Sequence, residues 1–144
     1  MEKAPESAKL VTISRHDVLI RAQSWIDEHV MYSQTQYHTN KYGRYRQDCS
    51  GYVSMCWHLP FSYTTATIMT VAHRITWPQL LPGDALWRHA GHEGHIALFV
   101  GWADGAHTKP VVDEEYNTGH PCERRVWNHR YAATFHPIRY NHIA

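Results

Sequence analysis

Cys49 and His95 are the two residues whose surroundings could support nucleophilic chemistry. Cys49 is followed by Ser50 and Gly51, whose small side chains leave a substrate room to approach. A free thiol has a pKa of about 8.5, so it attacks as a thiolate near neutral pH only when a helix N-terminus or an imidazole stabilises the anion. His95 opens the apolar segment HIALFVGW after a glycine-rich run. A base at a strand edge facing a helix N-terminus would activate such a thiol.

Each of these residues also has a purely structural interpretation. Small cysteine side chains are often buried, so Cys49 could simply fill space in the core. His95 is one of 13 histidines, and one of them could begin a strand by chance. Neither residue alone therefore predicts catalysis.

Two helices are predicted in the first half of the chain. Ser14, with Asp17 three residues later, is typical of a helix N-cap, and an apolar stripe of helical period follows it. The second helix begins at Cys49, with Asp48 as its N-cap. The polar, tyrosine-rich segment 31–48 is predicted to be a loop.

The second half of the chain is predicted to be rich in strands. Segments bounded by Gly, Pro or Asn read as strands, namely ALWRH, HIALFVGW, VVDEEYN, RRVWN and FHPIRYN. The preceding segment TTATIMTVAHRIT is ambiguous between helix and strand. Pro137 cannot donate a ladder hydrogen bond, which favours an edge position for the last strand. Helices followed by strands predict an α+β fold, with helices on one side of an antiparallel sheet of about five to six strands.

Length and composition indicate one globular domain. The chain has 144 residues, of which 43% are hydrophobic and 19% charged, and we expect a flexible leader over 1–12 and a single folded domain over 13–144. The net charge of +1 gives no steering toward nucleic acid. No apolar run approaches the length of about 20 residues that spans a bilayer, so no membrane partner is expected. The N-terminus lacks the apolar region of a secretory signal.

The chain has three cysteines, Cys49, Cys56 and Cys122. An odd number leaves at least one thiol unpaired, and a bridge between Cys56 and Cys122 stays open. Three histidines lie close together in a glycine-rich segment, His89, His92 and His95. With Glu93 they do not form the helical H-E-x-x-H zinc motif, because the histidines are three residues apart in a loop. We therefore expect no metal and no cofactor.

Two motifs resemble those of the NlpC family of cell-wall cysteine peptidases. RQDCSGYVS is similar to the family's Asp-Cys-Ser-Gly motif, and LLPGDALWRHAGHEGHIALFVGW to its second motif, in which a Pro-Gly-Asp turn and a Gly-His pair open two successive strands. The family also has a tyrosine in the loop ahead of the cysteine, which Tyr32 matches best. The resemblance spans residues 14 to about 117 and contains both motifs in the right order.

The resemblance implies a papain-like fold and hydrolysis of amide bonds in peptidoglycan stem peptides, usually the bond joining D-glutamate, through its γ-carboxyl, to a diamino acid. It implies that Cys49 attacks and that His95 takes and returns the proton. The Cys49 backbone N–H and the Tyr32 hydroxyl would hold the oxyanion. Asp48 and Ser50 would belong to the substrate-binding region, although Asp48 is also explained as a helix cap.

The third catalytic residue is where this chain departs from the family pattern. His107 would fit a short hairpin after His95, but WADGAHTKP is typical of a longer loop with His107 at its tip. A longer loop moves the partner of His95 toward Glu114, Glu115 or Asn117, with Glu114 on the opposite face from the other two. Similarity to the actinobacterial branch, with a Tyr-Glu pair on this strand, favours Glu114 over the alternative His107.

Other hypotheses stay open at this point. The enzyme could act in wall remodelling or as an antibacterial toxin, and a toxin would need an immunity protein as partner. The resemblance implies action outside the cell or in the wall, after removal of a signal or by another export route, and we expect a monomer. A Cys–His amidase or acyltransferase with another substrate is an alternative. A non-catalytic wall-binding domain is a second alternative, with its tyrosines as a sugar platform.

Overall fold

A computed structural model describes residues 9–90 and 93–144. Three helices and eight strands form an α+β fold: α1 Arg15–Asp27, β1 Tyr37–Asn40, β2 Gly43–Arg46, α2 Cys49–Cys56, β3 Ala72–Arg74, β4 Ala85–Arg88, β5 His95–Trp102, β6 Pro110–Glu114, β7 Glu123–Val126, α3 His129–Ala132 and β8 His136–Tyr140. Short 3-10 helices cover Ile68–Thr70 and Trp77–Gln79. The predicted α+β class with a six-stranded antiparallel sheet is confirmed.

The central sheet has the strand order β3-β8-β4-β5-β6-β7, and every pair in it is antiparallel. The prediction that Pro137 confines the last strand to an edge is wrong, because β8 lies between β3 and β4. The Pro137 carbonyl accepts a hydrogen bond from the Ile75 N–H at 3.0 Å, just after β3 ends at Arg74. A backbone N–H at position 137 would point to the same side as this carbonyl, beyond the last residue pair of β3 and β8. Proline, which has no N–H, therefore removes no hydrogen bond from that ladder.

The prediction of a loop over 31–48 is wrong for residues 37–46, which form the β1–β2 hairpin. The turn between the strands is fixed by Asn40, whose side chain accepts a hydrogen bond from the Tyr42 N–H at 2.8 Å. Gly43 closes it with φ +116°, a conformation that favours glycine. Asn40 and Gly43 are residues typical of tight turns, and they indicate a hairpin in a segment that has no regular hydrophobic pattern.

Both faces of the sheet are covered. Helices α1 and α2 pack on one face, where Trp25, Tyr52 and Trp57 are fully buried. Helix α3 covers the other face, where Phe99 and Phe135 belong to a second apolar cluster. Helix α1 starts as predicted, because the Ser14 hydroxyl accepts a hydrogen bond from the Asp17 N–H at 3.0 Å.

The predicted leader lies partly outside the described residues, which begin at residue 9. Leu10 packs against the core, and the Val11 carbonyl accepts a hydrogen bond from the Tyr140 hydroxyl at 2.7 Å. The boundary between leader and domain stays a prediction. Among residues 9–90 and 93–144, no helix combines the length and the apolar character needed to cross a membrane.

Candidate active site

Cys49 is the first residue of helix α2, as the sequence predicts. The Asp48 side chain caps the helix by accepting a hydrogen bond from the Gly51 N–H at 2.8 Å. The backbone N–H groups of Cys49 and Ser50 precede the first intrahelical hydrogen bond and are free of that ladder. The positive end of the helix dipole therefore lies at the Cys49 thiol.

Gly51 allows the start of α2 to approach strand β2. A Cβ atom at this position would overlap the carbonyl oxygen of Arg46. Farther along the helix, the Tyr52 hydroxyl donates a hydrogen bond of 2.7 Å to the Ala22 carbonyl of α1. Contacts to β2 and to α1 therefore fix the position of Cys49 from two sides.

His95 begins strand β5 and interacts with both Glu114 and Cys49. Its Nε2 lies 2.7 Å from Oε1 of Glu114, which ends the neighbouring strand β6. Its ring also interacts with the Cys49 side chain, and both residues line the same cleft. Because Nε2 is engaged by Glu114, Nδ1 is the ring atom available to the thiol.

The electrostatics of this series favour a charged imidazole. Burial by itself lowers the pKa of His95, but the hydrogen bonds and charges of Cys49 and Glu114 outweigh it and raise that pKa to about 9. Glu114 is fully buried, and its Oε2 accepts a hydrogen bond of 3.0 Å from the Trp127 indole. The arrangement can hold a thiolate beside an imidazolium whose orientation a carboxylate fixes.

A cleft of about 310 Å³ opens in front of this series. Cys49, His95 and Tyr32 all line it. The Tyr32 hydroxyl accepts a hydrogen bond of 3.0 Å from the Gln34 side chain, which leaves its own proton free to be donated. Burial raises the pKa of Tyr32, so the hydroxyl keeps that proton near neutral pH.

Two residues predicted for substrate binding face elsewhere. The Ser50 side chain is buried and accepts a hydrogen bond of 3.3 Å from Arg46, and its role in substrate binding stays a prediction. The Asp48 carboxylate is engaged by the Gly51 N–H and, at 2.6 Å, by the Arg46 guanidinium. Both contacts fit the capping alternative for Asp48.

The structure brings Glu114 to His95 and keeps the alternative third residue away from it. His107 lies in the connection between β5 and β6 with φ +56°. Its ring stacks on that of Trp102, with the ring centres 5.1 Å apart. Glu115 is fully buried on the other face from Glu114, and neither of its carboxyl oxygens has a hydrogen-bond partner among the described residues. Burial raises its pKa to about 9, with further contributions from Asp48, Cys49 and Glu123.

No group of three potential metal ligands occurs among residues 9–90 and 93–144. His89 bonds instead to the Thr65 hydroxyl at 2.9 Å, and His92 lies outside the described residues. The absence of a metal therefore stays a prediction. Cys56 and Cys122 are free and buried, so the alternative of a bridge between them is not realised. Burial raises the pKa of both thiols.

Sequence reasoning missed the far wall of the cleft. This wall includes polar and aromatic side chains from β4, from α3 and from the segment after β6: Arg88, Tyr116 and Tyr131. Asn117, considered in the sequence only as a partner of His95, lines the cleft as well. The indole that binds Glu114, on Trp127, was missed too. The RRVWN segment was recognised only as a strand, and no local pattern indicates which residue an indole N–H will reach.

In fold, the chain is similar to solved structures of the resuscitation promoting factor interacting protein RipA. One RipA structure, mutated at a cysteine, is 16% identical with a TM-score of 0.62, and another, mutated at a glutamate, is 20% identical with a TM-score of 0.59. The structure of Rv1477, a hypothetical invasion protein of Mycobacterium tuberculosis, is 19% identical with a TM-score of 0.58.

Each of these matches covers 88% of this chain and 61% of the other chain. The chain thus spans about three-fifths of the length of the solved structures it resembles. No protein-family model and no curated protein matches it. The identities of 16% to 20% establish a shared fold, and the function has to be inferred from the site itself.

Proposed function

We propose that this protein is a cysteine peptidase of the NlpC type that hydrolyses amide bonds in peptidoglycan stem peptides. The observation that carries the proposal is that Cys49 and His95 line one cleft, with His95 hydrogen-bonded to the buried Glu114. The two sequence motifs and the fold shared with RipA support it. The solved RipA structures carry mutations at a cysteine, a histidine and a glutamate, the same three residue types.

The proposed bond joins the γ-carboxyl of D-glutamate to the amine of a diamino acid. In the first step the Cys49 sulfur attacks the γ-carbonyl carbon, after its proton has passed to His95. The carbonyl oxygen becomes an oxyanion, which accepts hydrogen bonds from the Cys49 backbone N–H and the Tyr32 hydroxyl. Both groups lie at the mouth of the cleft that contains the thiol.

The oxyanion then collapses and the carbon–nitrogen bond breaks. The leaving amine takes the proton from His95, and the γ-carbonyl remains on Cys49 as a thioester. Water attacks the thioester while His95 accepts one of its protons. The carbon–sulfur bond breaks, releasing the carboxylic acid and restoring the thiolate. Throughout, Glu114 holds the imidazole ring in place and stabilises its charged form.

The proposed substrate places the protein outside the cell or in the cell wall, acting as a monomer. Two roles fit the chemistry, remodelling of the producer's own wall and use as an antibacterial toxin. A toxin would be accompanied by an immunity protein that covers the cleft around Cys49. No cofactor or metal takes part in the proposed reaction.

Digestion of purified peptidoglycan tests this proposal. The wild type, Cys49→Ala and the control Cys122→Ala would be incubated with several wall types, and the products read by mass spectrometry. The control loses a buried thiol that does not line the cleft. We expect stem-peptide fragments from the wild type and Cys122→Ala but none from Cys49→Ala. Release by Cys49→Ala, or by none of the three proteins, would contradict the proposal.

A further inference from the structure

Two consecutive arginines on the edge strand β7 have opposite surroundings. Arg124 donates hydrogen bonds of 2.8 and 3.1 Å to the buried Asp113 carboxylate and one of 3.1 Å to Gln23. Arg125 points to the other face of the sheet. Its Nη1 atom is buried without a hydrogen-bond partner among the described residues. Arg124 is thus satisfied by a hydrogen-bonded ion pair, whereas Nη1 of Arg125 is not satisfied by a hydrogen bond.

The nearest carboxylate does not satisfy Arg125. Oε2 of Glu114 lies 3.7 Å from Nη1, beyond hydrogen-bond distance. The two oxygens of Glu114 already accept hydrogen bonds from His95 and Trp127. A buried donor without an acceptor is unfavourable, and more so when the group is charged. Nη1 itself is closed to solvent, but the Arg125 side chain is 38% exposed, so its other N–H groups have donor capacity left for a ligand.

Arg125 lines a cavity of about 220 Å³. Its guanidinium carbon lies 4.3 Å from the centre of the Tyr116 ring, which holds the plane of the group in place. Tyr116 and Tyr131 line this cavity and also the cleft that contains Cys49. We call the cavity the Arg125 pocket, and it is a side pocket of the proposed active site.

The contacts around His95 indicate which part of a substrate would enter this pocket. In the proposed reaction His95 gives its proton to the leaving amine, so the leaving group lies on the His95 side of the cleft. The Tyr116 ring meets the His95 ring edge-on, with the ring centres 6.1 Å apart. Arg125 stacks on the same Tyr116 ring. The Arg125 pocket is thus next to the leaving-group side.

Resting on the proposed function, we propose that the Arg125 pocket binds a carboxylate carried by the diamino acid that leaves. A guanidinium presents two parallel donors, which match the two oxygens of a carboxylate better than a carboxamide. Arg125 would then determine specificity for stem peptides whose diamino acid has a free carboxylate, against those in which that group is amidated.

Two synthetic substrates would test this inference. Both contain the γ-D-glutamyl bond, and they differ only in whether the leaving diamino acid carries a carboxylate or a carboxamide. For the wild type we expect a kcat/KM about 10- to 100-fold higher on the carboxylate, mainly through a lower KM. Arg125→Gln should lose this preference while retaining activity on the carboxamide, and Arg125→Lys should retain part of it. Arg130→Gln is the control, since it removes an exposed charge from neighbouring α3.

The possible results separate this inference from the function on which it rests. If Arg125→Gln loses activity equally on both substrates through kcat, Arg125 acts only by positioning Glu114 and the inference is wrong. Equal cleavage of both substrates by the wild type also overturns the inference while leaving the proposed function intact. If the wild type cleaves neither substrate, the proposed function fails and the inference fails with it.

Discussion

Nε2 of His95 lies 2.7 Å from Oε1 of Glu114, a carboxylate that is inaccessible to solvent. The other oxygen of this carboxylate accepts the hydrogen bond from Trp127 at 3.0 Å. Two donors therefore meet one side chain, and a carboxylate can accept from both of them. A carboxamide cannot, because one of its two positions is an amino group that would face a donor.

We therefore predict that Glu114→Gln lowers kcat by about 10²–10⁴-fold on a stem-peptide substrate, because His95 loses the acceptor that fixes its ring. Steady-state kinetics would measure the effect, with circular dichroism to check folding. His107→Ala should change kcat by less than about threefold, because its ring contacts Trp102 and not the site. A large loss in His107→Ala with little change in Glu114→Gln would reverse the assignment of the third residue.

The raised pKa of His95 predicts that stability depends on pH. Its pKa of about 9 in the folded protein lies above the ordinary value of 6.5. The proton therefore favours the folded state fully below pH 6.5, and this contribution is lost as the pH rises through about 9. It should amount to something on the order of 1–3 kcal/mol.

Urea unfolding of the wild type and of His95→Gln between pH 6 and 10 would measure this dependence. We expect the difference in unfolding free energy between the two proteins to shrink toward high pH. Because all groups that do not contact His95 are the same in both proteins, the difference isolates His95 together with its coupling to Cys49 and Glu114. A constant difference across the whole range would show that His95 has no raised pKa.

Asp48→Asn separates the capping role from substrate binding. Asparagine caps helices about as well as aspartate, but it loses the charge that pairs with the largely buried Arg46. We expect the unfolding free energy to fall by about 1–3 kcal/mol while KM stays within about threefold of the wild type. Denaturant melts and Michaelis–Menten curves would show this. A tenfold rise in KM at unchanged stability would instead assign Asp48 to the substrate.

The positions of the two helices α1 and α2, and with them that of Cys49, could be predicted from local sequence. Ser14 and Asp48 are N-cap residues with clear signals, so the start of α1 and the position of Cys49 followed directly. Glu114 was favoured only through the resemblance, because a separation of 19 residues across a loop of unknown length does not fix a strand register.

Other features depend on contacts that no local pattern contains. β8 can lie inside the sheet because β3 ends at Arg74, before the position that would pair with Pro137. Pro137 therefore does not have to donate a hydrogen bond to β3. The Arg125 pocket depends on β7 pairing with β6, which carries Arg125 and Arg124 to opposite faces of the sheet. Identical neighbouring residues thus acquire different roles from tertiary structure alone.

Gly51 should tolerate no side chain. Gly51→Ala would drive a methyl group into the Arg46 carbonyl, and we expect a loss of about 3 kcal/mol or more of unfolding free energy, or failure to fold. Gly101 in β5 is a matched control, since a Cβ there meets nothing within 4 Å. Gly101→Ala should change stability by less than about 1 kcal/mol. Equal stability of the two variants in urea melts would show that α2 can shift away from β2.

The most direct test of the central claim is to alkylate the protein with iodoacetamide at pH 6 while following peptidoglycan hydrolysis. Peptide mapping by mass spectrometry would identify the modified cysteine at each time. We predict that Cys49 reacts at least about tenfold faster than the buried Cys56 and Cys122, and that activity falls in proportion to its modification. Full hydrolytic activity in a protein whose Cys49 is completely alkylated would contradict the claim that this thiol is the nucleophile.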